Sequence, residues 1–187
     1  TTGAEDDTID GNAGDDVIDA GAGDDTIVGG AGTDTLTGGS GEDTFLVNDT
    51  AHSTTADTDV ITDFTTGTDE LRTAITLPNQ AGEFDFTNKG SAASVFEGQV
   101  LLSGVPGQSF FNTSTDQLIA DSDGNGLLQA TDFAVTLTGL SEIADSDISF
   151  DVTTVAGNAT DVTTAAGSDN FVVLNAGDEV DAGAGVD

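Results

Sequence analysis

The stretch GNAGDDVIDAGAGDDTIVGGAGTDTLTGGSGEDTF, Gly11–Phe45, repeats every nine residues, and the repeat starts one unit earlier. In nines it reads TGAEDDTID (2–10), GNAGDDVID (11–19), AGAGDDTIV (20–28), GGAGTDTLT (29–37) and GGSGEDTFL (38–46). The sixth place is aspartate throughout: Asp7, Asp16, Asp25, Asp34 and Asp43. The eighth is always large and apolar: Ile9, Ile18, Ile27, Leu36 and Phe45. The fourth is Gly14, Gly23, Gly32 and Gly41 in the last four units and Glu5 in the first.

This spacing has a physical reading. The last three residues of each unit, such as Val17-Ile18-Asp19, are β-prone and suffice only for a short strand. The glycine-rich first six turn tightly and reach positive φ. Loop, strand, loop, strand makes one coil of a flattened spiral per two units. The eighth-place side chains stack inward as a thin core, and loops two units apart stack along each edge. That places Asp7 with Asp25, Asp16 with Asp34 and Asp25 with Asp43, each gap lined by carboxylates and loop carbonyls. Hard oxygen donors of this kind suit Ca²⁺, which accepts irregular geometry, better than Mg²⁺, which demands an octahedron.

Composition points the same way. The 187 residues hold 35 acids against two bases, Arg72 and Lys89, for a formal net charge of −33. Such a chain repels itself, and its apolar content of 36% gives little to offset the entropy of ordering. It is disordered, or its fold includes a cation partner absent from the sequence. A polyanion does not bind nucleic acid or an anionic membrane surface. No apolar run approaches the ~20 residues of a membrane span. Without cysteine there is no disulfide or thiolate site. The chain does not open with methionine, shows no signal peptide, and stops at the sixth place of a unit, AGAGVD (182–187). It is expected to be a piece of a longer protein, cut near Asp187.

The pattern Gly-Gly-x-Gly-x-Asp-x-apolar-x resembles the calcium-binding nonapeptide of the repeats-in-toxin (RTX), or hemolysin-type, family. The resemblance covers Thr2–Val47, with departures at Thr2, Glu5, Asn12 and Ala20. It implies a parallel β-roll that folds on binding several Ca²⁺ ions, with Asp7, Gly14, Asp16, Gly23, Asp25, Gly32, Asp34, Gly41 and Asp43 at the metal sites. It also implies type I export from a Gram-negative bacterium to the extracellular space or cell surface. A decayed repeat returns in TAAGSDNFV (164–172) and VLNAGDEVD (173–181), where Asp169 and Asp178 hold the sixth place.

Between these ends the composition changes. Alternating runs such as DVITDF (59–64), SVFEGQVLL (94–102), QLIAD (117–121) and FAVTLTGL (133–140) are separated by turn formers. They read as antiparallel β of a sandwich-like kind. The fold class is therefore all-β: an N-terminal parallel β-roll (1–47), a central antiparallel sandwich-like region (48–154) and a degenerate, truncated roll (155–187). Within the centre, Asp57, Asp59, Asp63, Gly67 and Asp69 are similar to the segment that follows the roll in secreted RTX proteases and epimerases, where it is structural and sometimes binds a further Ca²⁺. Asp121, Asp123, Asn125 and Asp132 fall at places 1, 3, 5 and 12 of an EF-hand loop. The flanking runs read as strands rather than helices, so an Asx-rich hairpin turn is the competing reading.

Catalysis finds little support. The one histidine, His52, sits in a polar run, and hydrolase chemistry needs a partnered constellation. The paired carboxylates read as calcium ligands rather than as a glycosidase acid and base. The chain is thus expected not to be an enzyme. Three functions compete. One is a calcium-binding structural module of a surface-layer, adhesin or filament protein. The second is the calcium-folding export module of a secreted enzyme or toxin. The third is a module whose central β region binds a glycan or a protein. The surface-protein reading rests on the Thr/Ala/Gly/Asp-rich composition and on roll-like pieces at both ends. It carries an expectation of self-association or tandem copies through the roll ends, and of contact with other cell-surface components.

Overall fold

The computed structural model describes residues 3–47, 52–77, 82–86, 88–93, 108–122, 127–154, 159–164, 170–172 and 179–181. The first five strands are the repeat units: β1 (Thr8–Asp10), β2 (Val17–Ala22), β3 (Thr26–Val28), β4 (Thr35–Ser40) and β5 (Thr44–Val47). Next come β6 (Asp59–Ile61), β7 (Glu70–Leu77), β8 (Gly82–Phe86) and β9 (Asn88–Ala92). Then follow β10 (Ser109–Asn112), β11 (Gln117–Ala120) and β12 (Phe133–Leu137). The last are β13 (Ile148–Thr154), β14 (Ala159–Thr164), β15 (Asn170–Val172) and β16 (Glu179–Asp181). The one helical element among the described residues is a 3₁₀ turn at Asp145–Asp147.

Successive units alternate between two sheets, as the nine-residue period requires. Odd strands build a sheet in the order β1-β3-β5-β7-β13-β15, parallel at every pairing. Even strands open the other sheet, β2-β4-β6-β12, also parallel. The register keeps the eighth place in line. Ile9, Ile27, Phe45, Leu71 and Ile148 form one column. Ile18, Leu36, Ile61 and Leu137 form the other. All but Ile9, on the outermost strand, are buried. The column therefore runs past the repeats: β6, β7, β12 and β13 present an apolar residue at the same level.

The loops stack backbone on backbone. Gly14 N–H donates to Ala31 O at 2.8 Å, and Gly23 N–H to Ser40 O at 3.0 Å. This closeness explains the glycines. Gly21 has φ 114°, and a Cβ there would lie 2.5 Å from the Gly3 carbonyl oxygen. Asn12 occupies the matching place in its unit at φ 73°, which asparagine tolerates better than other non-glycine residues.

The all-β class holds, and strands in the decayed C-terminal repeats stack in parallel: β13 on β15, and β14 on both β8 and β16. Pairing in the centre is mixed rather than antiparallel throughout. Among the described strands, only β10, β11 and β12 pair antiparallel, while β9 joins β10 in parallel. The reason lies in Asp59-Val60-Ile61 and Asp69-Glu70-Leu71, which carry the Asp-x-apolar half of the repeat and enter the roll as further rungs.

Phe45 is 1% exposed and packs its ring 6.0 Å from that of Phe64. Phe45→Ala should destabilise the calcium-loaded fold by about 3–5 kcal/mol. Val17→Ala, at an 83% exposed position, should change it by less than about 0.5 kcal/mol. Chemical denaturation in saturating calcium measures both.

Candidate metal centre

Each sixth-place aspartate ends its loop and begins a strand, so the roll stacks these residues along its two edges. The amide of one donates to the Oδ1 of the next. On one edge Asp7 N–H donates to Asp25 at 2.7 Å, Asp25 N–H to Asp43 at 3.0 Å, and Asp43 N–H to Asp69 at 3.1 Å. On the other, Asp16 N–H donates to Asp34 and Asp34 N–H to Asp59, both at 2.9 Å. The pairs expected from the spacing come together, and each ladder then runs one rung beyond the repeats. Asp59 N–H closes its ladder on Ser53 Oγ at 2.9 Å. Asp69 closes the other: its own N–H meets Thr65 O at 2.9 Å, and its Oδ2 accepts Thr65 N–H at 2.8 Å.

The second carboxylate oxygen tells what the ladder is for. Oδ2 of Asp16, Asp25 and Asp34 is shut off from solvent and has no hydrogen-bond partner. A buried, unpartnered carboxylate oxygen is costly to leave unsatisfied. At Gly11 a Cβ would sit 2.8 Å from Asp16 Oδ2, so the loop's first place leaves this oxygen no room for a side-chain neighbour. Among the described residues no three acidic or histidine side chains gather at one point. A cation at a rung would therefore be held by one or two carboxylates together with loop carbonyls, an all-oxygen set that fits Ca²⁺.

Burial raises the pKa of Asp43, Asp59 and Asp69. Asp59 goes furthest, from 3.8 to about 6: desolvation is the largest cause, and the like charge of Asp34 adds to it. The donated amide of Asp34 and, more weakly, the half-buried His52 pull the other way. For Asp43 and Asp69 desolvation again leads and neighbouring aspartates add to it, against the donated backbone N–H groups.

The fifth place carries a second ladder, invisible as such in the sequence. Asp24 N–H donates to Asp6 Oδ1 at 3.0 Å, Thr33 N–H to Asp15 Oδ1 at 3.0 Å, and Glu42 N–H to Asp24 Oδ1 at 2.9 Å. It runs opposite to the sixth-place ladder, on exposed acids. Asp63 clasps the fifth loop, taking Gly38 N–H at 3.0 Å and Gly39 N–H at 2.8 Å.

The EF-like stretch is the loop between antiparallel β11 and β12. Asp121 follows the first strand directly and Asp132 precedes the second, both buried. Asp132 clasps this loop: Oδ1 accepts the Ser122 N–H and hydroxyl at 3.2 Å, and Oδ2 the Gln129 N–H at 2.6 Å. Asp123, Asn125, Asp169 and Asp178 lie outside the described residues. Asp59 and Asp69 are missing from the ligand set drawn from the nonapeptides. The trace they leave in sequence is Asp-x-apolar, with one glycine, Gly67, at the fourth place before Asp69 and none before Asp59.

The family model described as Peptidase M10 serralysin C terminal matches residues 6–150. The chain belongs to this family. The serralysin C-terminal region is the calcium-binding RTX repeat region of secreted bacterial proteins, and the non-catalytic part of them. The match runs beyond the five nonapeptides to β13, in keeping with sheets that continue through the centre. No curated protein matches the chain.

Without metal, the folded chain holds protons on Asp59, Asp43 and Asp69 that the unfolded chain, with carboxyls near 3.8, releases. Between about pH 4 and pH 6 the folded state binds more protons, so its stability falls as pH rises through this window. Metal-free chain in dialysed buffer should keep more β circular dichroism at pH 5 than at pH 7.5. Equal spectra would contradict the assignment.

Proposed function

We propose that this chain is a calcium-folded structural module of a secreted bacterial cell-surface protein, of the surface-layer, adhesin or extracellular-filament kind. Export is by a type I machine from a Gram-negative cell. The observation that carries the calcium reading is the buried, unpartnered Oδ2 of Asp16, Asp25 and Asp34 in a chain of net charge −33. Five rungs are the candidate sites: Asp7/Asp25, Asp16/Asp34, Asp25/Asp43, Asp34/Asp59 and Asp43/Asp69. Bound Ca²⁺ supplies the positive charge that the sequence lacks. The ladder acceptors orient each loop through Oδ1, the orphaned Oδ2 atoms of Asp16, Asp25 and Asp34 face the ions, and the eighth-place residues close the core behind them.

The timing follows from concentration. Each site adds about 1.4 kcal/mol when calcium is ten times its dissociation constant. Extracellular modules have dissociation constants of roughly 10⁻⁴–10⁻³ M. Five such sites stabilise a domain outside the cell and contribute almost nothing at submicromolar cytosolic calcium. The chain then crosses the export machine unfolded and folds on arrival.

Self-association accompanies this reading. β1 and β2 are the outer strands of their sheets, and an unpaired strand edge is a template for another chain. A second reading, the export module of a secreted enzyme, is favoured by the family match itself, since serralysin C-terminal regions accompany secreted peptidases. Light scattering across a calcium series separates the two: growth from monomer to larger particles at millimolar calcium supports the surface role, and a folded strict monomer supports the export role.

Asp25 belongs to two rungs and is 1% exposed, whereas Asp7 belongs to one and is half-buried on the outer coil. Asp25→Ala should therefore raise the calcium midpoint of folding several-fold more than Asp7→Ala. Calorimetric titration of both variants checks this, and equal losses would refute the rung assignment.

A further inference from the structure

One face of the central sheet serves neither the roll's core nor its aspartate ladders. Along β10 and β11, Phe111 and Leu118 point into the main core, while their neighbours Phe110 and Ile119 face the other way. There they form a small apolar cluster with Ala92 and Ala134, and Leu128, from the loop between β11 and β12, packs on it. Beside this cluster lies a hollow of about 350 Å³, lined by Thr55, Gln117, Ile119, Leu128, Gln129 and Ala130. That volume is in the range of sites that hold small molecules.

The hollow has a wall fixed by hydrogen bonds. Thr55 N–H donates to Asp132 O at 2.9 Å and its hydroxyl to Gln129 O at 2.5 Å. Asp132 Oδ2 in turn takes the Gln129 N–H at 2.6 Å. Across from this wall, Gln117 keeps hydrogen-bonding capacity. Its Oε1 accepts the Thr115 hydroxyl at 2.8 Å and its Nε2 meets Thr136 Oγ1 at 3.5 Å, which leaves one amide hydrogen and one lone pair.

The chemistry of the lining selects the ligand. In a chain of net charge −33, none of the described residues around the hollow is charged. The field of the chain turns anions away, and the hollow offers a cation no carboxylate. Its polar side chains are two carboxamides and a hydroxyl, which both donate and accept, over an aliphatic floor of Ile119 and Leu128. β11 is paired on both sides, so it presents no free strand edge to a peptide backbone. The ligand that fits is uncharged, with hydroxyls around its rim and one apolar C–H face.

We propose that this hollow binds a neutral saccharide, one or two pyranose rings at the end of a glycan. The C–H face of the ring lies on Ile119 and Leu128, and its hydroxyls meet Gln117, Gln129 and Thr55. The site is separate from the aspartate rungs and does not rest on the calcium reading.

Heteronuclear NMR of the full folded chain, whichever cation folds it, tests this by titration with glucose, galactose, mannose, N-acetylglucosamine, maltose and cellobiose. At least one should shift the Gln117 and Gln129 side-chain amides and the Thr55 and Leu128 backbone amides together, saturably, with a dissociation constant on the order of 1 mM. Glucuronate should not. Gln117→Ala should weaken binding about tenfold, and Ala130→Trp, at an exposed position, should abolish it by filling the hollow, both with unchanged β circular dichroism. If the variants do not fold, Overhauser contacts from sugar C–H protons to the Ile119 and Leu128 methyls in the wild type decide. The inference is overturned if none of these sugars shifts those amides, if Ala130→Trp folds and binds as before, or if glucuronate binds equally well. It is also overturned if the capped peptide acetyl-Ala-Leu-Ala-amide shifts the same amides and no sugar does.

Discussion

The structure depends on one arrangement: a backbone N–H donating to the Oδ1 of an aspartate one coil further on, which at Asp25 and Asp34 leaves a buried Oδ2 without a partner. The amide bond sets the carboxylate's orientation, and the stacking of loops repeats it at each rung. Hydrogen bonds to carboxylates are stronger than neutral ones, yet they do not remove the repulsion among acids stacked in a column. Two bases cannot balance 35 acids. On the proposed function the fold and its ions are one thermodynamic object: the ligand set forms only in the coil, and the coil is stable only when its carboxylates are neutralised.

Much of this was legible in the sequence. The nine-residue period gave the coil, the strands and the pairs Asp7/Asp25, Asp16/Asp34 and Asp25/Asp43, because side chains at a fixed place in a stacked repeat must line up. Phe45 and Leu36 were legible as core for the same reason. The place where the roll ends was not. Asp59 keeps only the Asp-x-apolar part of the pattern, and Asp69 adds to it a single glycine, Gly67 at the fourth place, while Ser53 and Thr65 close the two loops. A reading keyed to the unbroken nine-residue phase stops at Val47, while the hydrogen bonding continues for another rung on each edge.

The centre of the chain shows a second limit. Alternating apolar residues establish β structure but not its partner. Gln117–Ala120 and Phe133–Leu137 do form the antiparallel pair their alternation suggests. Ile148–Thr154 alternates in a similar way, and its partners are parallel strands far off in sequence. What decides is whether the preceding loop can carry the chain back across the roll to the same edge, a property of three-dimensional path rather than local pattern. The fifth-place ladder was hidden for a related reason: Asp6, Asp15 and Asp24 look like generic surface acids until the loop 18 residues on is stacked against them.

The central claim concerns the ladder amides themselves: Asp7, Asp16, Asp25, Asp34 and Asp43 donate to carboxylates only when those carboxylates also bind an ion. Hydrogen exchange of these amides, followed by NMR through a calcium titration at neutral pH, measures it directly. Slow exchange should appear at all five together as calcium rises, with the outer pair, Asp7 and Asp16, the less protected. It should vanish on chelation, and magnesium should not restore it. Protection of these amides in metal-free solution at neutral pH, or its appearance without dependence on calcium, would contradict the account.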